Sequence, residues 1–213
     1  MSPSAIVQDF EQALLAVDRG KARMIMSQIA GGPTWDVALV EELIVPALDH
    51  IGQGWCDGTV SLAQVYVSGR ICEELFEVAI PAGNAQQEGA PRIALAVLED
   101  YHMLGKRLVF TALRASGYAV LDYGRVTVDE LLAKIRQDGI EWVLVSTLML
   151  PSALRVKVLC SQIREQGLKV KVVVGGAPFR LDSNLWREVG ADAMGSAASE
   201  SVSIIRRLAV GGA

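Results

Sequence analysis

The chain has 213 residues, 51 % of them hydrophobic and 21 % charged, enough for one large or two small domains with real cores and unlike a disordered or fibrous chain. Residues 1–85 carry 4 Lys/Arg against 11 Asp/Glu and residues 86–213 carry 16 against 13, which accounts for the net charge of −4; neither part has the basic stripe of a nucleic-acid binder. No apolar run of about 18 residues would cross a membrane, no basic segment leads an apolar block as in a secretory signal, and Cys56, Cys72 and Cys160 form neither a disulfide framework nor a C-x-x-C knuckle. A cytoplasmic protein with no nucleic-acid or membrane partner is expected.

The first part reads as helices. Segments at Ser4–Val17 and Lys21–Ile29 flank Asp18-Arg19-Gly20. In the next segment Val37, Val40, Ile44, Ala47, Leu48 and Ile51 recur at three- and four-residue steps, one face of a 3.6-period helix. Thr34 stands at its N-cap position and Gly52 just past its predicted end, and Pro46 should bend it or break its hydrogen bonding locally. A fourth periodic segment spans Ser61–Ile80. Four helices with short connections predict an antiparallel bundle over residues 1–85. Pro81–Pro91 is small and polar and reads as a linker, its end at 86–91 leading into a second domain at 92–213.

After Pro91 the period changes. Apolar, β-branched runs at Arg92–Leu98, Tyr118–Tyr123, Trp142–Ser146, Lys169–Val174 and Ala191–Met194 alternate with helical patterns at Lys106–Ser116, Val128–Gln137, Ser152–Glu165, Asp182–Glu188 and Glu200–Leu208. Five strands alternating with five helices predict an α/β fold, a five-stranded parallel doubly wound sheet of the flavodoxin or Rossmann-like kind. Ligands of such sheets bind beyond the carboxyl ends of the strands, so the loops after strands one, three and four are the candidate site.

Two common uses of the layout fail on their residues. The loop after strand one, Leu98-Glu99-Asp100-Tyr101-His102-Met103-Leu104-Gly105, lacks G-x-G-x-x-G, and no G-x-x-x-x-G-K-[ST] occurs, so dinucleotide and P-loop binding are excluded. Glu99-Asp100 imitates the acidic pair of a phosphoacceptor receiver. Strand three, however, ends Val145-Ser146-Thr147 without the aspartate nucleophile, and strand five ends Met194-Gly195-Ser196 without the lysine.

What remains is Asp100-x-His102-x-x-Gly105, then Ser146-x-Leu148, then Gly175-Gly176, in order and at the proper strand ends. This pattern resembles the cobalamin-binding domain of methionine synthases, B12-dependent mutases and corrinoid methyl carriers, over most of residues 91–208. The resemblance implies that His102 replaces the cofactor's own base as lower cobalt ligand and that the displaced tail runs down a cleft beside the sheet. A neutral imidazole suits cobalt and needs an acceptor for its second nitrogen, which Asp100 can supply; Gly105 allows close backbone approach. By the same resemblance Ser152 hydrogen-bonds the aspartate in a Ser–Asp–His relay. The cofactor-binding set is Asp100, Tyr101, His102, Met103, Leu104 and Gly105, then Ser146, Leu148, Met149 and Ser152, then Gly175, Gly176, Ala177 and Pro178, with His102 as metal ligand. Met103 departs from the aspartate common after the family's histidine. His50, the other histidine, lies off its helix's apolar stripe and is expected to be exposed.

The helical part is similar to the cap that precedes this domain in methionine synthase and in free-standing methyl carriers. Gly52-Gln53-Gly54-Trp55-Cys56-Asp57-Gly58 resembles the cap's G-x-x-W-x-x-G segment, so Trp55 is a core residue or a cofactor contact. B12-dependent photoreceptors carry Glu-His further on to ligate the upper face; here Val65-Tyr66 stands in that place, and a sensor is disfavoured. The cap likewise disfavours the B12 subunit of a carbon-skeleton mutase. The expected function is a corrinoid methyl carrier, a non-catalytic component of a methyltransferase system. It would bind cobalamin base-off and His-on, in O-demethylation or in methanol or methylamine use. Expected partners are a substrate-specific methyltransferase, an acceptor methyltransferase using tetrahydrofolate or a thiol, and a reductive activator, with the linker as the hinge that uncovers the cofactor.

Overall fold

The computed structural model describes residues 3–31, 37–77 and 91–210, and the chain divides into two compact units, Met1–Pro81 and Ala82–Ala213. Thr34 and most of the expected linker, residues 81–90, lie outside the described residues.

The first unit comprises α1 (Pro3–Leu15), α2 (Arg19–Ala30), α3 (Val37–Cys56) and α4 (Leu62–Glu77). The apolar stripes close on one another: Phe10 and Leu14 from α1, Met26 from α2, Ile44, Ala47 and Ile51 from α3 and Ile71 from α4 are all removed from solvent. α1 and α2 meet in a tight corner. The amide of Val17 donates to Leu14 O and that of Asp18 to Ala13 O, the bonding of a Schellman cap, and the Asp18 carboxylate then accepts from Lys21 N to start α2. α3 does not stop at Gly52 as its sequence suggested. It runs on through Gly54 to Cys56, and the turn is made instead at Gly58, whose φ of +75° only glycine adopts freely. Pro46 is accommodated inside the helix, removing only the amide that Glu42 O would have bonded. His50 is exposed, as expected, with Nδ1 3.2 Å from Glu11 Oε2.

The second unit is a five-stranded parallel sheet in the order β2-β1-β3-β4-β5, with β1 Ile93–Leu98, β2 Val120–Val126, β3 Trp142–Ser146, β4 Lys171–Gly175 and β5 Ala193–Gly195. Between them lie α5 (Leu104–Ala115), α6 (Val128–Asp138), α7 (Leu150–Glu165), α8 (Ala177–Leu181) and α9 (Leu185–Glu188), with α10 (Glu200–Val210) last. The β-strand period of two fixes the layers. Ala94, Ala96 and Leu98 point into one core with Val143, Val145, Val172 and Val174 under α6 and α7, while Ile93 and Leu95 join Trp142, Leu144 and Val173 under α5 and α10.

Two elements differ from their predicted form. β2 extends to Val126 through a bulge, Leu95 pairing with Asp122 and Ala96 with Gly124, which the polar run Asp122–Arg125 concealed. The expected helix at Asp182–Glu188 shortens to α9 at Leu185–Glu188, because Asp182 leaves helical geometry at φ −121°, ψ 101°, and α8 at Ala177–Leu181 precedes it where no helix was expected. The strand order reverses between β1 and β3, which sets the loops after these two strands side by side; Val97 pairs with Ser146 at their ends.

Candidate functional site

The loop after β1 is organised around one carboxylate. Asp100 is only 2 % exposed, and each of its oxygens is saturated. Oδ1 accepts from the amides of Tyr101 (2.7 Å) and His102 (3.2 Å) and lies 2.6 Å from His102 Nδ1. Oδ2 accepts from the amides of Leu148 (2.8 Å) and Met149 (2.9 Å) in the loop after β3. Burial alone would raise its pKa, but the bonds from Met149 N, the His102 ring, Leu148 N and His102 N outweigh that and hold it at about 2. Asp100 is therefore an ionised, acceptor-only group at neutral pH. With Asp100 acceptor-only, Nδ1 carries the proton between them, and Nε2 has no hydrogen-bond partner among the described residues. The ring is half-exposed, its side chain at 46 %.

Ser152 does not complete the expected relay. Its hydroxyl is buried in the first turn of α7 and donates to Glu99 O at 3.1 Å. The geometric reason is that Oδ2, the oxygen it would have bonded, is already held by two backbone amides at the start of α7. The residue so bonded, Glu99, has φ +48°, and its side chain receives a fork from Arg155, Nε at 3.0 Å and Nη2 at 3.2 Å. Neither Glu99 nor Arg155 was among the expected site residues. Nothing in the sequence signals a left-handed glutamate, and the two residues lie 56 positions apart.

The remaining predicted residues line the same strand ends. Gly105 lies in the first turn of α5, where a Cβ would come within 3.0 Å of Ser146 Oγ, so it brings the helix against the β3 loop. Gly176 follows β4 at φ +118°, and a Cβ there would sit 1.7 Å from Thr147 O. Gly175 accepts the Thr147 amide at 3.1 Å. Leu148 and Met149 are exposed, Pro178 is buried, and Ala177 opens α8 beside it. Tyr101 is exposed and lies under the Arg125 guanidinium, 4.1 Å from ring centroid to charge. Met103 precedes α5 and Leu104 begins it. Sequence reasoning also missed Lys106, a buried lysine in α5 that pairs with Asp122 on β2. In the helical unit Trp55 is 49 % exposed, so it is not a core residue; Leu62 and Tyr66 are exposed as well.

These residues suit a large ligand that carries its own metal. Among the described residues no cluster of three His, Cys, Asp or Glu could hold a metal ion, and the one prepared donor is Nε2 of His102. Just past β3 the buried Thr147 hydroxyl has no hydrogen-bond partner, and close glycine backbone frames the ends of β3 and β4. A single imidazole with its distal nitrogen already bonded to a carboxylate is a donor set that fits a cobalt macrocycle.

Comparison with known proteins agrees. A B12 binding domain model matches residues 92–204, and a second model described as a B12 binding domain matches residues 6–80. The chain belongs to the B12-binding family. It is a corrinoid protein, and cobalamin is its cofactor. Among its relatives, the monomethylamine corrinoid protein 2 of Methanosarcina barkeri is 30 % identical over 88 % of this chain and 94 % of that one. The trimethylamine corrinoid protein of the same organism is 24 % identical over 94 % and 95 %. The solved structure of M. barkeri monomethylamine corrinoid protein has a TM-score of 0.82 at 23 % identity, covering 97 % of this chain and all of that one. The methanol:cobalamin methyltransferase complex of M. barkeri has a TM-score of 0.54 at 20 % identity, over 98 % and 81 %.

Proposed function

We propose that this protein carries a methyl group between two partner methyltransferases, holding cobalamin with Nε2 of His102 as lower axial ligand in place of the cofactor's own base. Bound cobalamin supplies a cobalt centre that takes up and releases the methyl group. The observation that carries the reading is the 2.6 Å contact between His102 Nδ1 and an Asp100 carboxylate locked by four backbone amides. That contact fixes the tautomer and orients the ring so that Nε2 is presented for ligation. Asp100 is held ionised by the amides and the ring around it, so it can accept the Nδ1–H bond at neutral pH. Ser146, Gly105, Gly175 and Gly176 leave the close-packed backbone along which the displaced tail would run, and Trp55 offers an exposed indole as a further contact to the cofactor.

The names of the curated relatives favour methylamines as methyl donors over methanol or methoxylated compounds. The first partner is then an amine-specific methyltransferase and the second an acceptor enzyme that uses a thiol or tetrahydrofolate. A reductive activator would return oxidised cobalt to the cycle, all in the cytoplasm. The test is the protein purified with cobalamin. Reduced to the cobalt(II) state, it should show splitting from one axial nitrogen in its electron paramagnetic resonance spectrum. His102→Ala should remove that splitting while cofactor is retained, and should leave the fold intact because the ring is half-exposed. An unchanged spectrum in the variant refutes the ligation. Failure to methylate the protein with any amine-specific methyltransferase refutes the assignment of donor.

A further inference from the structure

The geometry points to Glu99 as a positioning residue for the Asp100–His102 pair, acting through a left-handed turn that Arg155 and Ser152 hold in place; this deepens the cobalamin reading and rests on it. The residue departs from ordinary backbone geometry at φ +48°, in the region where a side chain is disfavoured and glycine is not. Such a conformation persists only where its surroundings over-determine it, and here they do. The Glu99 amide donates to Val126 O at 3.0 Å, tying it to the end of β2. Its carbonyl accepts the Ser152 hydroxyl at 3.1 Å, tying it to α7. Its carboxylate takes the Arg155 fork from the next turn of α7 and the Val128 amide of α6 at 3.4 Å. Three elements thus grip one residue.

The consequence falls on the next residue. The left-handed step is what turns the chain after β1 so that the Asp100 carboxylate reaches back to the Leu148 and Met149 amides with one oxygen and to the His102 ring with the other. Ser152 therefore serves the site, by clamping the backbone rather than by relaying a proton. Arg155 supplies the charge that keeps a glutamate where a glycine would be at ease. A bidentate guanidinium–carboxylate pair has the directional rigidity this requires, which a lysine would lack.

Three variants of the full chain test the device. Glu99→Ala keeps the strained φ but loses the fork; Arg155→Met removes the fork from the other side at an exposed position; Glu99→Gly loses the fork but also the strain. Two readouts are needed. In the apoprotein, nitrogen-15 NMR of the ring of His102, one of two histidines in the chain, reports the Nδ1–Asp100 bond without any cobalt. In the cobalamin-loaded protein, the axial-nitrogen splitting of the cobalt(II) form reports ligation. Glu99→Ala and Arg155→Met should weaken the His102 Nδ1 signal and lower the His-on to His-off ratio about tenfold, the size of effect typical of groups behind a metal ligand. Glu99→Gly should return both towards wild type. Wild-type ring signals in Glu99→Ala and Arg155→Met, whatever their melting temperatures, overturn the inference, as does a Glu99→Gly no better than Glu99→Ala. If the NMR pattern appears but wild-type protein shows no axial nitrogen, the positioning stands and the ligation by His102 is what fails.

Discussion

Among the described residues each unit has one non-glycine residue in the left-handed region, Val17 in the helical unit and Glu99 in the α/β unit, and the two are held in opposite ways. Val17 is a β-branched residue at the glycine position of a helix cap, nearly half-exposed, and the bonds that form the cap run through its backbone and that of Asp18. The cap bonds involve none of its side-chain atoms. Glu99 is held by bonds to its amide, its carbonyl and both carboxylate oxygens. The same backbone strain is thus incidental in one unit and fully supported in the other. Support of that kind accumulates where a site must be held still, at the switch point between β1 and β3.

The contrast can be broken by substitution. The largest effect is expected at Gly176. A methyl group there would stand 1.7 Å from the Thr147 carbonyl oxygen at a φ of +118°, so Gly176→Ala should destabilise by more than about 4 kcal/mol or prevent folding of the α/β unit. Gly58→Ala in the helical unit, at φ +75° with open space around the new methyl, should cost only about 1 kcal/mol by urea denaturation. Equal losses at the two glycines would mean that the β3–β4 strand ends are no more tightly built than a surface turn.

An intermediate effect is expected at Asp100. Its folded pKa of about 2 lies below the ordinary 3.8, so the native state favours the ionised form. The stabilisation is fully present above pH 4 and is lost as pH falls from there through 2, and it amounts to about 2 kcal/mol. Asp100→Asn should therefore be less stable than wild type by about that amount at pH 7, with the difference closing as the solution is acidified towards pH 2. It should also weaken cobalt ligation by roughly 10–100-fold. A gap that stays constant with pH would show that the carboxylate's charge is not what the four amides and the imidazole recognise.

The smallest effect has the opposite sign. Val17→Gly should stabilise the protein by about 1 kcal/mol, since the cap bonds remain and the left-handed penalty disappears. A thermal unfolding curve that moves down instead would mean that the Val17 side chain contributes contacts its exposure does not suggest.

Much of the site was legible residue by residue. Asp100, His102 and Gly105 stand out through a pattern that resembles a known family, and the pattern makes physical sense because an imidazole needs an oriented acceptor nearby in the chain and glycine allows close backbone approach. Ser152 is different, because only the resemblance points to it. The resemblance pairs it with Asp100, but the choice between Oδ2 and Glu99 O depends on which acceptor two backbone amides have already taken. Gly52 was read as a helix end because glycine is a common stop, and the buried Ile51 with the turn at Gly58 carried α3 further.

By itself, then, the sequence determined the order of helices and strands, the two-part layout and the family, since hydrophobic period and short motifs are local properties of the chain. The tertiary structure alone decided the left-handed turn at Glu99, its grip by Arg155 across 56 residues, the pairing of buried Lys106 with Asp122 and the amides that saturate Asp100. Each of these depends on which strand ends the 2-1-3-4-5 order sets side by side, and chain spacing carries no record of that.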